Sequence, residues 1–585
     1  MSANERILAV EQHVPSAESR TRIGAFFSQP ISWVFLVVGG IIGFLSLYPT
    51  FFLFYGSLMD APLGVPGHFT LQNYVRAYTD PEAYPLLLNS FIFGLGASGL
   101  SVVFALTLAW ITIRTNAPFR RLFELTAIIP NILPPILVSI SWVMLLNPSN
   151  GLINGGLVKL FGLAKGPFNI YSIPGLIFVE ALILTPLAFL IIAAAMKSMD
   201  PSLEESAKTL GSSEFSVMTR ITFPLMRPAI LAAATLNFVR AVESFDTPAI
   251  IALPARIEVF TTKIWREALG SFPTNHNLAA AYGVGILMIA LLFVYLYRRF
   301  TSQVESFSTV TGKGFRPHQI DLGAGRYLAS AVAFLLLLLL VVLPILVLLL
   351  VAILPYYHVP TWQTWSHLTL DHFRYIWATP RVHKAFMNSL LLALLGATIC
   401  MLLASVASYI TVRTKLAGRG IIEGLIFIPW AFPGTALALG LLWAYIDFPI
   451  PVYATIWIIL IAYVTRFLPY GMRAVSSTII QIHKELEEAS VACGAGFLAT
   501  FRRVLIPMMR PGVMAGWIIL MTIFMREFSA TLFLYSPGSE PLGPLLYFLY
   551  LDGMRGRVAA IGLVISVISV ILIAIAQHYS RWESE

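Results

Sequence analysis

The sequence predicts an all-α integral membrane protein of about twelve spanning helices, arranged as two parallel six-helix repeats. Three observations predict it: an apolar composition, a series of apolar runs long enough to cross a bilayer, and a long internal repeat. Of 585 residues, 58% are hydrophobic and only 11% charged, far from the usage of a soluble globular chain. Hydrocarbon offers no water to satisfy backbone N–H and C=O groups, so a spanning helix needs about 20 mostly apolar residues.

Runs of that length fall near 31–58, 86–113, 122–146, 173–197, 228–252 and 278–298, and again near 327–354, 387–412, 421–446, 452–475, 512–536 and 556–577. The chain divides accordingly into an N-terminal tail, 1–30, a first membrane domain, 31–300, a linker, 301–326, and a second membrane domain, 327–580. The first apolar run exceeds a signal-peptide core, so it is expected to stay as an anchor.

The formal charge of +9 raises the question of a nucleic-acid partner, and the placement of the basic residues answers it. With the N-terminus in the cytoplasm, most of the 38 Lys and Arg fall on the cytoplasmic side, the positive-inside bias. Arg120 and Arg121, Arg298 and Arg299, and Arg502 and Arg503 are such clusters. Both termini and the linker, with Lys313, Arg316 and Arg326, are then cytoplasmic, and the bilayer rather than nucleic acid is the expected surroundings. Cys400 falls in a span and Cys493 in a cytoplasmic loop, so no disulfide between them is expected.

The repeat is legible by direct comparison. The block NSFIFGLGASGLSVVFALTLAWITIRT from Asn89 aligns with NSLLLALLGATICMLLASVASYITVRT from Asn388, a spacing of 299 residues. The same spacing carries Leu71 onto Leu370, Arg114 onto Arg413, Pro130 onto Pro429 and Pro134 onto Pro433. Further along the spacing is 283, carrying Glu205 onto Glu488, Gly211 onto Gly494, Pro224 onto Pro507, and Arg227 and Pro228 onto Arg510 and Pro511. The first half therefore holds 16 extra residues, which fit the outward segment starting at Asn147. Equivalent spans face the same way, so the repeats are related by an axis along the membrane normal, with a pathway expected between them.

GLGASG at Gly94–Gly99 matches a dinucleotide fingerprint, but that motif needs a strand before it and a helix N-terminus to hold a pyrophosphate. Here the glycines sit inside an apolar span, where small residues let helices approach, and Gly39 and Gly43 invite the same reading. The sequence has no G-x-x-x-x-G-K-[ST] loop, H-E-x-x-H pair or metal-spaced Cys and His cluster. No catalytic residue, resident metal or cofactor is expected in this chain.

The polar segments LEESAKTLGSSEFSVMTRITFPLMRP from Leu203 and LEEASVACGAGFLATFRRVLIPMMRP from Leu486 carry the most specific pattern. Each opens with two carboxylates, Glu204 and Glu205 or Glu487 and Glu488, expected on the first turn of a short helix where negative charge complements the dipole. Gly211 and Gly494 then permit a turn, and Pro224 and Pro507, each followed four residues later by another proline, Pro228 or Pro511, suit the first turn of the next span.

This doubled pattern resembles the EAA loop of binding-protein-dependent ABC importer permeases, and the resemblance covers nearly the whole chain. It implies that Glu205, Ala207, Gly211 and Pro224, and Glu488, Ala489, Gly494 and Pro507, belong to coupling loops seated on two copies of a cytoplasmic ATPase subunit. Ser206 and Ser490 replace alanines of the family pattern and keep it small. ATP and magnesium would be bound by those partners. An extracytoplasmic solute-binding protein would deliver cargo, with 59–85 and 355–386 as expected docking segments, and the location would be the bacterial inner membrane. The stretches from Ser244 and from Arg526 look like the fused permeases of the ferric iron importer group. Related permeases carry thiamine, polyamines, phosphonates, sulfate or molybdate.

Glu180, Arg240, Glu243, Asp246, Arg466, Arg526 and Glu527 fall in or beside predicted spans, where charge must be paired or face a cavity. Glu243 aligns with Glu527 at a spacing of 284, which suggests a shared role. Arg240, Glu243, Asp246, Arg526 and Glu527 are candidates for the translocation path, and acidic groups there suit a cationic cargo; interhelical salt bridging is the competing reading. The rival functional classes are an ion-coupled secondary transporter of the same gross architecture, which predicts no doubled elbow, and a membrane-embedded enzyme, for which no catalytic constellation is present.

Overall fold

The computed structural model describes residues 30–127, 129–200, 202–305 and 319–582. The expected cytoplasmic tail, apart from Pro30, and linker residues Lys313 and Arg316 lie outside the described residues. In the first half the main helices are α1 (Pro30–Ser57), α2 (Ala83–Arg114), α3 (Pro135–Leu146), α4 (Ile173–Ser198), α5 (Ser202–Thr209), α6 (Met218–Glu243), α7 (Asp246–Ile251) and α8 (His276–Glu305). The second half repeats the order with α9 (Gly325–Ile353), α10 (Pro380–Arg413), α11 (Gly434–Tyr445), α12 (Ile456–Gln481), α13 (Lys484–Ala492), α14 (Phe501–Met525), α15 (Thr531–Leu534), α16 (Leu542–Leu551) and α17 (Arg555–Trp582).

Among the described residues, ten helices are long and apolar enough to cross a membrane. The two predicted spans absent from that set are the third of each half, 122–146 and 421–446, which are broken helices. Arg120–Thr126 and Arg419–Phe427 each stop at a short 3-10 turn, and the helix restarts as α3 or α11. The repeated prolines cause the break: Pro130, Pro134 and Pro135, and Pro429 and Pro433, lack the N–H a helix needs and push the preceding residue out of helical geometry.

The fifth span of each half also differs from expectation. It begins at Met218 and Phe501, ten or eleven residues before the predicted starts, and ends at Glu243 and Met525 rather than at 252 and 536. Pro224 and Pro507 fall at the first turn of the α-helical segments Phe223–Glu243 and Ile506–Met525, while Pro228 and Pro511 lie inside them. A π turn, Met218–Thr222 or Phe501–Leu505, immediately precedes each. The wider turn accommodates a residue that can donate no i→i−4 bond.

The halves are interlocked. Helix α1 packs on α11 and α9 on α3, so the first span of each half lies on the broken span of the other. At Gly56 a Cβ would sit 2.4 Å from the Trp443 indole nitrogen, so only glycine allows this approach. Within a half, Gly94 and Gly96 act as expected, because a Cβ would meet Phe238 and Val242 at 2.8 Å and Ile177 at 2.5 Å. Gly99 faces open space and has no packing role. Gly39 and Gly43 leave ordinary contact distances to Ile422 and Leu425.

Buried polar side chains fix the register. Asn237 donates to Ser101 Oγ at 2.8 Å and to the Leu184 carbonyl at 3.2 Å, joining α6 to α2 and α4. The Asn-Ser pair opening each repeated block pins a later loop: Asn89 donates to the Glu258 carbonyl and Ser90 accepts from Phe260 N. Asn388 and Ser389 make the equivalent bonds to Glu540 and Leu542.

Candidate functional site

The two polar elbows lie at one end of the bundle. In the first, Glu204 and Glu205 occupy the first turn of α5 and point differently. Glu204 is buried: its Oε2 accepts from Arg114 Nη1 at 2.8 Å and its Oε1 from Thr222 Oγ1 at 2.7 Å. Glu205 is exposed, as are Leu203 and Leu210, while Ala207 is half-buried. Two carboxylates in one turn thus divide the work: one anchors the elbow to α2 and α6, the other faces outward.

The glycines terminate the elbow helices by one hydrogen-bond pattern. Gly211 N donates to Lys208 O and Ser212 N to Ala207 O; Gly494 N donates to Val491 O and Ala495 N to Ser490 O. This is the Schellman arrangement, which requires a left-handed residue after the helix. Gly211 and Gly494 supply it with φ of +85° and +83°. Positive φ strains a residue bearing a Cβ, so the glycine is fixed by backbone geometry rather than by crowding.

The second elbow repeats the anchor in weaker form. Arg413 Nε lies 3.2 Å from Glu487 Oε1, and its Nη2 donates to the Ile479 carbonyl at 2.9 Å. Leu505 stands where Thr222 stood, so the second carboxylate has no hydroxyl donor at that place. Glu488, Ala489, Leu486 and Val491 are exposed.

The intramembrane charges converge between the halves. A cavity of about 220 Å³ is lined by Glu180, Arg240, Glu243, Asp246, Arg466, Arg526 and Glu527, three cations and four anions. Arg240 donates to Tyr470 Oη across the halves. Glu527 caps α15, accepting from Ala530 N at 2.9 Å, Thr531 N at 3.1 Å and the Thr531 hydroxyl, and it lies 3.4 Å from Arg466 Nη1. Glu180 Oε2 accepts from Ser244 Oγ at 3.1 Å. Asp246 Oδ2 accepts from Ser529 Oγ at 2.9 Å. Glu243 Oε1 is buried with no hydrogen-bond partner.

All five candidate path residues therefore meet at one cavity, together with Glu180 and Arg466. The correspondence of Glu243 with Glu527 is corrected. Phe245 stacks on Phe528, 283 residues further on, and that repeat spacing sets Glu243 against Arg526 and Ser244 against Glu527. One carboxylate caps a helix and the other has an unpartnered oxygen, so they share no structural role. Arg114 and Arg413 escaped sequence reasoning as site residues, although their alignment at 299 and that of Glu204 with Glu487 at 283 held the signal.

Duplicated six-helix membrane halves, each with a glycine-terminated elbow tied to its second span, define a permease of the importer type. The chain belongs to the family of binding-protein-dependent transport system inner membrane components, whose profile matches residues 101–306 and 401–584. It is a multi-pass membrane protein with two fused permease domains. It is 25% identical over 540 residues to the ferric transport system permease protein FbpB of Actinobacillus pleuropneumoniae, covering 92% of this chain and 76% of that protein. It is also 25% identical over 500 residues to the putative ferric transport system permease protein FbpB 1 of Haemophilus influenzae, covering 84% and 76%. Among solved structures, a bacterial ABC transporter involved in import of the acidic polysaccharide alginate superposes with a TM-score of 0.38 at 19% identity, covering 49% of this chain and 98% of that one.

Proposed function

We propose that this permease moves a cationic cargo, ferric iron by best reading, across the inner membrane by alternating access driven by two separate ATPase subunits. The observation that carries the coupling is the doubled elbow. In both halves a short helix is tied by a carboxylate to the C-terminal end of the second span, ends at a left-handed glycine, and presents an exposed face with a leucine and a carboxylate. Such a face suits docking into a partner, and the buried tie carries its displacement into the spans. ATP and magnesium belong to the partner subunits, and an extracytoplasmic solute-binding protein hands over the cargo.

The basic clusters Arg120 and Arg121, Arg298 and Arg299, and Arg502 and Arg503 support an orientation with both termini, the linker and the elbows in the cytoplasm. The ferric assignment is supported by the named relatives and by the four carboxylates around the central cavity. Those carboxylates are spread around the walls. Among the described residues, no group of three or more His, Cys, Asp or Glu is placed to hold a metal ion.

The test is reconstitution with the ATPase and solute-binding subunits in vesicles. ATP-stimulated accumulation of radioactive iron(III) is expected. Uptake of putrescine, thiamine, phosphonate, sulfate or molybdate instead would replace the cargo. Accumulation driven by an ion gradient, with no ATPase subunit associating, would overturn the importer mechanism.

A further inference from the structure

Two pairs of residues related by the repeat touch each other. Phe245 and Phe528 stack with centroids 5.7 Å apart and planes at 14°, and Ser529 donates its hydroxyl hydrogen bond to Asp246 at 2.9 Å. Both pairs are separated by the repeat spacing of 283 residues. Equivalent residues of two parallel repeats can meet only on the axis that relates them, so these contacts mark where the axis is blocked. Both phenylalanines are fully buried, and Tyr547 packs on Phe528 at 5.4 Å.

The height of the block follows from hydrogen bonds. Thr261 Oγ1 donates to the Ser244 carbonyl, and the adjacent Phe260 N donates to Ser90 Oγ of α2. Ser90 lies seven residues from the start of α2 and 24 from Arg114, about 10 Å and 36 Å at the helical rise. The block is therefore in the third of the membrane remote from the elbows. The charged cavity reaches Asp246, Phe528 and Ser529 at this level and extends past Arg240 and Leu187 toward the elbow end.

We propose that Phe245 and Phe528, latched by Asp246 and Ser529, form the outer gate that separates the central cavity from the extracytoplasmic side. The gate rests on the importer reading above. Any motion that parts the halves at the axis breaks the stack and the latch together, because each contact has one partner in each half. The stack supplies an apolar plug that a hydrated ion does not cross, and the single hydrogen bond sets the register in which the plug closes.

The experiment uses the full complex with Cys400 and Cys493 replaced by serine. Asp246→Cys with Ser529→Cys is treated with a short thiol-to-thiol crosslinker, at rest and after trapping with ATP and vanadate. Efficient crosslinking at rest, falling at least tenfold in the trapped state, is expected. No crosslinking at rest, or equal yield in both states, overturns the gate. In a second arm, Phe245→Ala with Phe528→Ala is expected to raise ATP-independent ion leak across vesicles at least tenfold, whereas a leak equal to that of the parent overturns the plug. ATP-stimulated uptake by the parent, measured alongside, separates failure of the gate from failure of the importer reading.

Discussion

Arg114 and Glu204 form a buried ion pair at 2.8 Å, with side chains 2% and 7% exposed, between the end of the second span and the first turn of the elbow. Their repeat equivalents, Arg413 and Glu487, meet at 3.2 Å with the Glu487 side chain 20% exposed. Removing one member of a buried pair strands the other charge and costs about 3–5 kcal/mol. Glu204→Ala is therefore expected to lower the thermal unfolding temperature of the purified permease and to abolish ATP-stimulated uptake. Glu487→Ala should cost less, because its pair is longer and its side chain less buried than that of Glu204. Replacing both Arg114 and Glu204 with apolar residues should restore stability but not coupling, which differential scanning fluorimetry and uptake would resolve.

The outward carboxylates make the contrasting case. Glu205 and Glu488 are exposed, so Glu205→Ala with Glu488→Ala should leave the unfolding temperature within about 1 °C, as surface changes of within about 0.5 kcal/mol do. Loss of ATPase co-purification in that variant is the expected result. Retention of the ATPase at parent affinity would remove these residues from the docking face.

The repeat, ten of the spans and the elbow spacing were legible because each depends on local composition or on pattern recurring along the chain. The breaks in the third spans were legible in principle from Pro130, Pro134 and Pro135, but apolar run length gives no weight to a missing N–H. The starts at Met218 and Phe501 were hidden for the opposite reason: amphipathic helix ends read as polar loop, and the π turns before Pro224 and Pro507 carry no composition signal. The partners of Arg114 and Asp246 lie 90 and 283 residues away, so only three-dimensional packing could pair them.

Gly211 and Gly494 are glycine for their backbone angle alone, since a Cβ at either place meets nothing within 4 Å. Gly211→Ala is expected to cost about 1–2 kcal/mol of left-handed strain, and Gly211→Asn less. The strain should appear as faster hydrogen exchange across Ser202–Thr209, with the spans unaffected.

Gly94 and Gly99 separate the packing reading of their motif from the nucleotide-binding one. A Cβ at Gly94 strikes Phe238 and Val242, whereas one at Gly99 meets nothing. Gly94→Ala should destabilise by about 1–3 kcal/mol through overpacking, and Gly99→Ala should be neutral. A phosphate-binding role would instead make both substitutions alter nucleotide affinity while leaving stability alone.

Glu243 and Glu527 provide the final contrast, because the cavity exposes them to different demands. Glu527 accepts from two backbone N–H groups and a hydroxyl and faces Arg466, so its charge supports the fold at the start of α15. Glu527→Gln turns an acceptor oxygen into an N–H₂ donor facing those donors, and a thermal destabilisation of about 1–3 kcal/mol is expected. Glu243 Oε1 accepts nothing, so Glu243→Gln loses no hydrogen bond at that oxygen and should preserve stability. If the acidic groups attract a cationic cargo, Glu243→Gln lowers ATP-stimulated iron uptake several-fold at an unchanged unfolding temperature. Unchanged uptake in both single variants and in the double variant would leave these carboxylates as interhelical ties only.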